Sequence, residues 1–205
     1  MAKIKICGIT HSDDAVAAVA AGADALGFVF YPKSSRYVAP EVAREIALKL
    51  GAFTVLTGLF VNATRGEINE VLARVPLHLL QFHGDETSEF CESFHRPYMK
   101  AIRMRPDINL ADVFKNYASA SAILLDAYKP GIPGGTGEMF DWARVPKNPS
   151  IPVVLAGGLT SENVAQALAA TNVYAVDVSG GVEAAPGRKD REKIKRFIIN
   201  ARKFQ

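Results

Sequence analysis

The sequence predicts a closed barrel of eight parallel β-strands, each followed by a helical segment, in one domain spanning residues 1–205. Three observations lead to this fold class. Short runs of Val, Ile, Leu and Phe alternate with stretches of helical periodicity. The alternation reaches eight repeats with no long segment left over. No linker rich in proline, glycine or serine divides the chain. A doubly wound open sheet is the alternative that the same alternation allows.

The predicted strands are the apolar runs. They are apolar almost throughout, which is typical of parallel strands buried on both faces. In chain order they cover 3–9, 24–30, 53–61, 77–82, 97–102, 121–126, 151–156 and 173–178.

Between the strands, apolar residues recur at the spacing of one helical face. The third helix opens with Thr64 and Glu67, which form the pattern of a capping box. The segment 139–147 predicts only one or two turns. The predicted faces are Val16, Val19, Ala20 and Ala23; Val42, Ile46 and Leu50 after Pro40; Ile68, Val71, Leu72 and Val75; Val164, Ala167, Leu168 and Thr171 after Thr160; and Ile194, Phe197, Ile198 and Ala201.

The composition excludes several classes of function. The chain is 49% hydrophobic and 22% charged, and its formal net charge of +3 is too small to indicate a nucleic-acid or membrane partner. Basic residues crowd the C-terminus, where the apolar face of the last helix predicts that they occupy the opposite, solvated face. These residues are Arg188, Lys189, Arg191, Lys193, Lys195, Arg196, Arg202 and Lys203.

Two cysteines, Cys7 and Cys91, limit the covalent and metal chemistry that we expect. Their spacing matches neither a disulfide framework nor a metal site, and the histidines have no metal-ligand spacing either. A reducing compartment fits this usage, and the sequence has no signal peptide or bilayer-spanning run. We therefore expect a cytoplasmic protein without a metal. Cys91 lies among polar residues of a helical segment and is expected to be inert.

In a barrel of this kind, catalytic groups lie at the C-terminal ends of the strands and in the loops that follow. This rule selects a short set of candidates. They are Cys7; Ser34, Ser35 and Arg36; Asn62; His83 and Gly84; Arg103; Asp126; Gly157 and Gly158; and Ser179, Gly180 and Gly181.

The last two of these loops are rich in glycine: LAGGL at 155–159 and VDVSGGVE at 176–183. Glycines let backbone N–H groups converge on an anion, and the loops after strands seven and eight are where this fold usually holds a phosphate. Glycine pairs also serve tight turns, but two pairs at neighbouring strand ends favour phosphate binding. The predicted phosphate-binding residues are Gly157, Gly158, Ser179, Gly180 and Gly181.

A third glycine cluster, PGGTG at 133–137, follows the sixth strand after a short spacer. It has neither a strand nor a helix pattern, so it predicts either a lid over the pocket or a plain exposed turn. The candidate lid residues are Gly134, Gly135, Thr136 and Gly137.

Cys7 and Asp126 end strands one and six, which face each other across the mouth of the predicted barrel. A thiol and a carboxylate form an acid–base pair when their surroundings separate their proton affinities. A thiolate needs an electropositive surrounding, which Lys5 or Arg36 would provide. The alternative for Cys7 is a small buried hydrophobic residue, the commoner fate of a free cysteine. Asp126 after an apolar run requires a partner or water.

Arg36 and His83 are the candidate substrate-binding residues. The planar guanidinium of Arg36 suits a bidentate pair with a ligand carboxylate, and a surface salt bridge is the competing interpretation. His83 would serve as a proton shuttle, whereas a loop histidine bonded to the backbone is the more frequent outcome.

These motifs together resemble the phosphoribosylanthranilate isomerases. The likeness runs through the whole chain, in family order: KICGIT at 5–10, YPKSSR at 31–36, GLFVN at 58–62, QFHGDE at 81–86, LLD at 124–126, GGTG at 134–137, LAGGL at 155–159 and VDVSGGVE at 176–183. One departure concerns the last motif, which reads serine-serine-glycine in many members. Gly180 keeps the backbone amide there but removes a hydroxyl group.

The resemblance implies an Amadori rearrangement in tryptophan biosynthesis, the third step from chorismate. The family converts N-(5-phosphoribosyl)anthranilate into 1-(2-carboxyphenylamino)-1-deoxyribulose 5-phosphate without a metal or cofactor. By this likeness Cys7 is the general base, Asp126 the general acid and Arg36 the partner of the anthranilate carboxylate, while the glycine loops hold the phosphate. The resemblance thus assigns Cys7 to chemistry, against the commoner fate of a free cysteine.

Two rival functions remain. A barrel that isomerises the corresponding aminoaldose of histidine biosynthesis is the nearest one, but that chemistry usually employs two aspartates, so Cys7 argues against it. The other rival is a barrel that binds a phosphate ligand without turnover. We expect a small sugar phosphate as the partner, no nucleic acid or membrane, and a monomer or homodimer.

Overall fold

The computed structural model describes residues 1–127 and 140–203, and these ranges form a closed barrel of eight parallel strands in sequential order. Each strand overlaps one of the predicted apolar runs, so the predicted barrel is confirmed and the open sheet is wrong. The strands are β1 Lys3–Cys7, β2 Ala25–Val29, β3 Val55–Phe60, β4 Leu79–Phe82, β5 Tyr98–Arg103, β6 Ala122–Asp126, β7 Val153–Leu155 and β8 Ala175–Val178.

The pairing of β1 with β8 closes the barrel. Lys5 lies opposite Asp177 and Ile6 opposite Val178 across this seam. Every strand of the barrel therefore has two neighbours, and no strand edge is left to pair with another chain. Because all eight strands are parallel, their C-terminal ends form one face of the molecule.

Helices surround the barrel and follow the strands in the order that the periodicity predicts. They are α1 Ser12–Ala21, α2 Pro40–Ala47, α3 Arg65–Arg74, α4 Ser88–Glu92, α5 Leu110–Asn116, α6 Val164–Thr171 and α7 Arg191–Arg202. A single 3₁₀ turn at Trp142–Arg144 agrees with the one or two turns predicted for 139–147. None of the helices in the described ranges is long and apolar enough to cross a bilayer.

The sequence did not predict a small antiparallel hairpin between the end of β8 and α7. It consists of β9 Glu183–Ala185 and β10 Arg188–Lys189, and it follows a 3₁₀ turn at Gly180–Val182. This hairpin brings the charged side chains of Glu183 and Lys189 back to the end of the barrel where the predicted site lies.

The capping box predicted for α3 is confirmed. The Thr64 hydroxyl accepts from the Glu67 N–H at 3.3 Å, and a Glu67 carboxylate oxygen accepts from the Thr64 N–H at 2.7 Å. These two bonds satisfy N–H groups that have no partner within the helix, which is how the box fixes the first residue of α3.

The predicted apolar faces hold for α3, α6 and α7 but not for the first two helices. Val16 is 49% exposed and Val42 41% exposed, whereas the neighbouring Ala15 and Ala43 are fully buried. Small side chains let α1 and α2 approach the barrel closely, and α1 is apolar on most of its circumference. Periodicity alone therefore could not select the buried face.

Alternation along each strand divides the core into two parts. On β1, Ile4 and Ile6 pack outward against the helices in the main hydrophobic cluster. Inside the barrel, Met99, Leu124 and Val154 belong to a second cluster. Because side chains alternate between the two faces of a strand, Lys5 and Cys7 point into the barrel when Ile4 and Ile6 point out.

Candidate active site

The C-terminal ends of the strands surround a cavity of about 730 Å³. This volume is typical of a pocket for a small molecule. All the predicted catalytic, substrate-binding and phosphate-binding residues line it: Cys7, Arg36, His83, Asp126, Gly157, Gly158, Ser179, Gly180 and Gly181.

Other candidates have different outcomes. Asn62, Gly84 and Arg103 do not line the cavity. The Asn62 side chain instead accepts a hydrogen bond of 2.7 Å from the Asp85 N–H, and Arg103 pairs with the Asp85 carboxylate at 3.5 Å. The predicted lid residues 134–137 lie outside the described residues.

Cys7 ends β1 and is 5% exposed, packed with Val29 and Leu59 at the top of the barrel interior. Burial raises the pKa of the Cys7 thiol, because a thiolate loses solvation there. The Lys5 ammonium acts in the opposite direction and lowers that pKa, though by less than burial raises it. The thiol therefore rests protonated near neutral pH, with a cation beside it that favours its ionisation.

Lys5 is itself held by a buried ion pair inside the barrel. Its ammonium lies 2.9 Å from a carboxylate oxygen of Asp177, and both side chains are less than a tenth exposed, at 6% and 8%. Burial alone would lower the pKa of Lys5, but pairing with Asp177 and proximity to Cys7 raise it above its ordinary value. Lys5 therefore carries a fixed positive charge beside the thiol.

Asp126 ends β6 and is held by two contacts. Its Oδ1 accepts a hydrogen bond of 2.9 Å from the Ala127 N–H, and its Oδ2 lies 3.1 Å from Nε2 of His83. On the far side of the imidazole, Nδ1 of His83 lies 2.9 Å from the amide nitrogen of Gln81. With that amide donating to Nδ1, a neutral His83 carries its proton on Nε2 and donates it to Asp126.

Arg36 projects into the cavity from the loop after β2, but its side chain is not free. Nε and Nη2 donate to the two carboxylate oxygens of Glu183 at 2.9 and 2.8 Å, a bidentate pair. Hydrogen bonding to Glu183 raises the pKa of Arg36. The competing interpretation of a salt bridge is therefore right about the pair but wrong about its place, because the two side chains are only 17% and 5% exposed.

The prediction that the C-terminal basic residues all lie on a solvated face is wrong for Lys189. Its side chain is completely buried, and its ammonium lies 2.8 Å from a carboxylate oxygen of Glu183. The prediction failed because Lys189 precedes α7 and belongs to β10 of the unpredicted hairpin. Helical periodicity therefore does not describe its surroundings.

The two glycine loops meet at one side of the cavity. A Cβ atom at Gly181 would lie 1.9 Å from the carbonyl oxygen of Leu159, so only glycine allows the loop after β8 to touch the loop after β7. Gly157 and Gly158 both have positive φ, at 80° and 63°. The backbone of both loops is therefore exposed to the cavity with little side-chain cover.

Gly8 explains why the first motif turns directly after Cys7. Its φ is +75°, and a Cβ atom there would lie 2.6 Å from Cδ of Arg36 and 2.9 Å from the hydroxyl of Ser179. The Arg36 side chain thus runs over the bare backbone of Gly8 beside the loop after β8. Glycine at this position places Cys7 and Arg36 side by side.

Sequence reasoning missed Asp177, Gln81, Glu183 and Lys189, and considered Lys5 only as a neighbour of Cys7. Three of these residues could have been found from the sequence, because side chains two residues apart on a strand point to the same face. Lys5, Gln81 and Asp177 each lie two residues before a predicted site residue. Cys91, in contrast, is fully buried in the core, where burial raises its pKa to about 12. This agrees with the expectation that it is inert.

The described part of the chain contains no group of three or more His, Cys, Asp or Glu side chains that would hold a metal ion. What the cavity does offer is a thiol, a carboxylate beside an imidazole, a guanidinium and a glycine-rich rim. The first two groups suit proton transfer, and the last two suit a ligand with two anionic ends.

Comparison with known proteins agrees with this geometry. The family model described as N-(5'phosphoribosyl)anthranilate (PRA) isomerase matches residues 4–200. The chain is 66% identical to N-(5'-phosphoribosyl)anthranilate isomerase of Cellvibrio japonicus (strain Ueda107) over 97% of this chain and 92% of the relative.

Solved structures of the isomerase from Thermotoga maritima have the same fold. One has a TM-score of 0.89 at 42% identity, and covers 99% of this chain and 100% of its own. Another, in complex with reduced 1-(o-carboxyphenylamino)-1-deoxyribulose 5-phosphate, has a TM-score of 0.86 at 42% identity with the same coverage. A third, described as monomers generated from the dimeric isomerase, has a TM-score of 0.86 at 41% identity, again with that coverage.

The family match covers nearly the whole chain, and the identity to the relatives is far above the level at which only a fold is shared. This chain belongs to the N-(5'-phosphoribosyl)anthranilate isomerase family.

Proposed function

We propose that this chain isomerises N-(5'-phosphoribosyl)anthranilate to 1-(2-carboxyphenylamino)-1-deoxyribulose 5-phosphate, the Amadori step of tryptophan biosynthesis. The observation that carries the proposal is that a single cavity brings together Cys7, Asp126, Arg36 and both glycine loops. Family membership supports the same reaction.

The two anionic ends of this substrate match two parts of the cavity. Arg36 offers the anthranilate carboxylate a cationic partner, since the pair with Glu183 uses only Nε and Nη2 of a guanidinium with five N–H groups. The loops around Gly158 and Gly180 offer backbone amides to the phosphate. A substrate bound at both ends lies across the mouth of the barrel, with its ribose between Cys7 and Asp126.

The first chemical step opens the ribose ring, with Asp126 as the general acid. A proton passes from Asp126 to the ring oxygen, the bond from that oxygen to C1 breaks, and the nitrogen lone pair forms the Schiff base. His83 and the Ala127 N–H hold the carboxyl group in position. Hydrogen bonds of this kind fix the direction in which the proton leaves.

The second step removes the proton from C2, with Cys7 as the general base. The C–H electrons move into the C1–C2 bond, the iminium nitrogen is neutralised, and the resulting enolamine tautomerises to the ketone. Lys5 supports the thiolate electrostatically from inside the barrel. The protons pass between the substrate and the side chains of Asp126 and Cys7, and the electron pairs shift only within the substrate. No electrons are gained or lost overall, so we propose no cofactor.

A homodimer is the assembly that we favour. Phe53 is completely exposed, and the nearby Leu48 and Val55 are 63% and 40% exposed. These residues connect α2 to β3 at the end of the barrel opposite the cavity. Exposed apolar side chains grouped in this way are typical of a protein–protein contact, and one Thermotoga maritima structure in the family is described as coming from a dimeric isomerase.

The test of the reaction is the decay of substrate fluorescence with the purified chain, with the product identified by mass spectrometry and NMR. We expect turnover of N-(5'-phosphoribosyl)anthranilate to the ketone, and none of the corresponding aminoaldose of histidine biosynthesis. A chain that binds the reduced product analogue but turns over neither substrate would be a ligand-binding barrel, and the proposed function would be wrong.

A further inference from the structure

We propose that Glu183 and Lys189 are positioning residues that couple the two anion-binding parts of the cavity. In this proposal Lys189 balances the negative charge of Glu183, so that Arg36 can still attract a ligand anion. This inference rests on the proposed function, because it takes the substrate to carry a carboxylate at one end and a phosphate at the other. Neither residue is assigned a role by the sequence motifs.

A continuous set of contacts joins the two anion-binding parts. Glu183 holds Arg36 through both of its carboxylate oxygens. The Lys189 ammonium lies 2.8 Å from Glu183, and it also donates to the carbonyl and hydroxyl oxygens of Ser179 at 3.2 and 3.3 Å. Ser179 begins the loop for phosphate. The distance between the guanidinium and that loop is therefore set by two buried side chains.

The backbone around these two residues is itself anchored. The Lys189 N–H donates to a carboxylate oxygen of Asp14 in α1 at 2.9 Å, and Asp14 is buried. The Lys193 ammonium at the start of α7 donates to the Glu183 carbonyl at 2.8 Å. The hairpin thus rests on two helices. The backbone of Lys189 is therefore fixed, and its side chain reaches solvent only if its ammonium leaves Glu183 and Ser179.

The charges in this cluster explain why a buried lysine is needed. Arg36 and Glu183 alone form a neutral pair, and a carboxylate beside the guanidinium would repel an incoming anthranilate carboxylate. Lys189 adds a second cation, so the three groups together carry one net positive charge. Cys7 also faces this cluster, and as a thiol it is neutral. The Asp14 carboxylate and the Lys193 ammonium, which bond to the backbone of the cluster, carry opposite charges.

Gly180 leaves the space that the Arg36–Glu183 pair occupies. A Cβ atom at this position would lie 3.3 Å from Nη2 of Arg36 and 3.9 Å from Oε2 of Glu183. The first distance is tighter than an ordinary van der Waals contact. Glycine at this position therefore leaves the guanidinium undisturbed.

The test is a double-mutant cycle of Glu183→Gln and Lys189→Met. The readout is the dissociation constant of the reduced product analogue, with kcat and KM measured beside it. Arg188→Met, an exposed neighbour with the same change in charge, is the control. We expect Lys189→Met alone to weaken analogue binding by about tenfold or more and to raise KM with kcat within about threefold. Arg188→Met should leave binding within about twofold.

The decisive comparison is in the Glu183→Gln background. With the carboxylate removed, Lys189 has no negative charge left to compensate, so Lys189→Met should then cost less than about threefold. This comparison also serves if Lys189→Met alone does not fold, because the double variant leaves no uncompensated buried carboxylate.

Equal losses in both backgrounds would overturn the proposal, because a lysine that acts independently of the Glu183 charge costs the same with or without that charge. Failure of the proposed function would look different. In that case the wild type would not turn over substrate. The double-mutant cycle on analogue binding would still show whether Glu183 and Lys189 act together.

Discussion

Cys7 combines two opposing influences at one sulfur atom. Burial under Val29 and Leu59 raises the pKa of the thiol, and the ammonium of Lys5 lowers it by a smaller amount. A general base must be deprotonated to act, so a raised pKa means that only a small fraction of Cys7 is active near neutral pH. The same raised pKa makes the thiolate that does form a stronger base for a carbon-bound proton.

This balance predicts the pH dependence of the reaction. Because the folded pKa of Cys7 lies above its ordinary value, kcat/KM should rise with pH between about 7 and 9, by up to about tenfold per unit, as thiolate replaces thiol. Lys5→Met should raise the pKa of Cys7 further and shift this limb to higher pH. Its exposed neighbour on β1, Lys3→Met, is the control. Identical profiles for wild type and Lys5→Met would contradict the role given to Lys5.

The close contact between Gly8 and the Arg36 side chain is tested by substitution of the glycine. Gly8→Ala forces an alanine into positive φ and places its Cβ against Arg36. We expect KM to rise by about tenfold or more, and the free energy of unfolding to fall by about 1–3 kcal/mol. Gly51→Ala is the matched control, since a Cβ atom there would have nothing within 4 Å. An active site insensitive to Gly8→Ala would show that Arg36 does not depend on this close contact.

Strands, helices and hairpin differ in how well the sequence predicts them. The eight strands were predictable because each is a mostly apolar run, and strand ends then located Cys7, His83 and Asp126. The buried face of α1 was not, because alanine and valine occupy most of its circumference. In α2 the charged residues do define a polar side, but the buried face consists of Ala43, Ile46 and Ala47 and excludes Val42. The β9–β10 hairpin was missed because its few residues are charged or small, and only tertiary contacts with Asp14 and Lys193 fix them.

Removal of the capping box of α3 should affect the stability of the fold and not its activity. Thr64→Ala should lower the free energy of unfolding by about 1 kcal/mol, because the Glu67 N–H loses its hydroxyl acceptor and the Glu67 carboxylate loses the hydroxyl that donates to it. Hydrogen bonds from Thr64 hold the pKa of Glu67 below its ordinary value. This contribution of Glu67 is therefore present above its unfolded pKa and is lost as the pH falls through its folded pKa. Chemical denaturation at two pH values measures both effects, and kcat should not change. Equal unfolding free energies for Thr64→Ala and wild type would contradict the account.

The proposed active site and the proposed dimer contact lie at opposite ends of the barrel. The cavity lies at the C-terminal ends of the strands, whereas Phe53 lies just before β3 at the N-terminal end. In this fold, residues at the C-terminal ends of the strands serve catalysis, whereas those at the opposite end serve stability. Assembly and catalysis should therefore be separable by substitution.

Phe53→Glu should convert a homodimer into a monomer, because a charge replaces the most exposed apolar side chain of this region. Analytical ultracentrifugation of wild type and variant measures the change, and kcat should stay within about twofold. Lys49→Glu, a neighbouring substitution that removes no apolar group, is the control. A wild type that is monomeric at all concentrations would exclude the homodimer.

The most direct test of the central claim is the turnover of Cys7→Ala and Asp126→Asn, measured together with their affinity for the reduced product analogue. Cys91→Ala and Asp112→Asn are matched controls, the first in the core and the second on the surface of α5. Both site variants should lose at least about a thousandfold in kcat and bind the analogue within about tenfold of wild type, while the controls keep their activity. Substantial turnover by either site variant would contradict the assignment of base and acid.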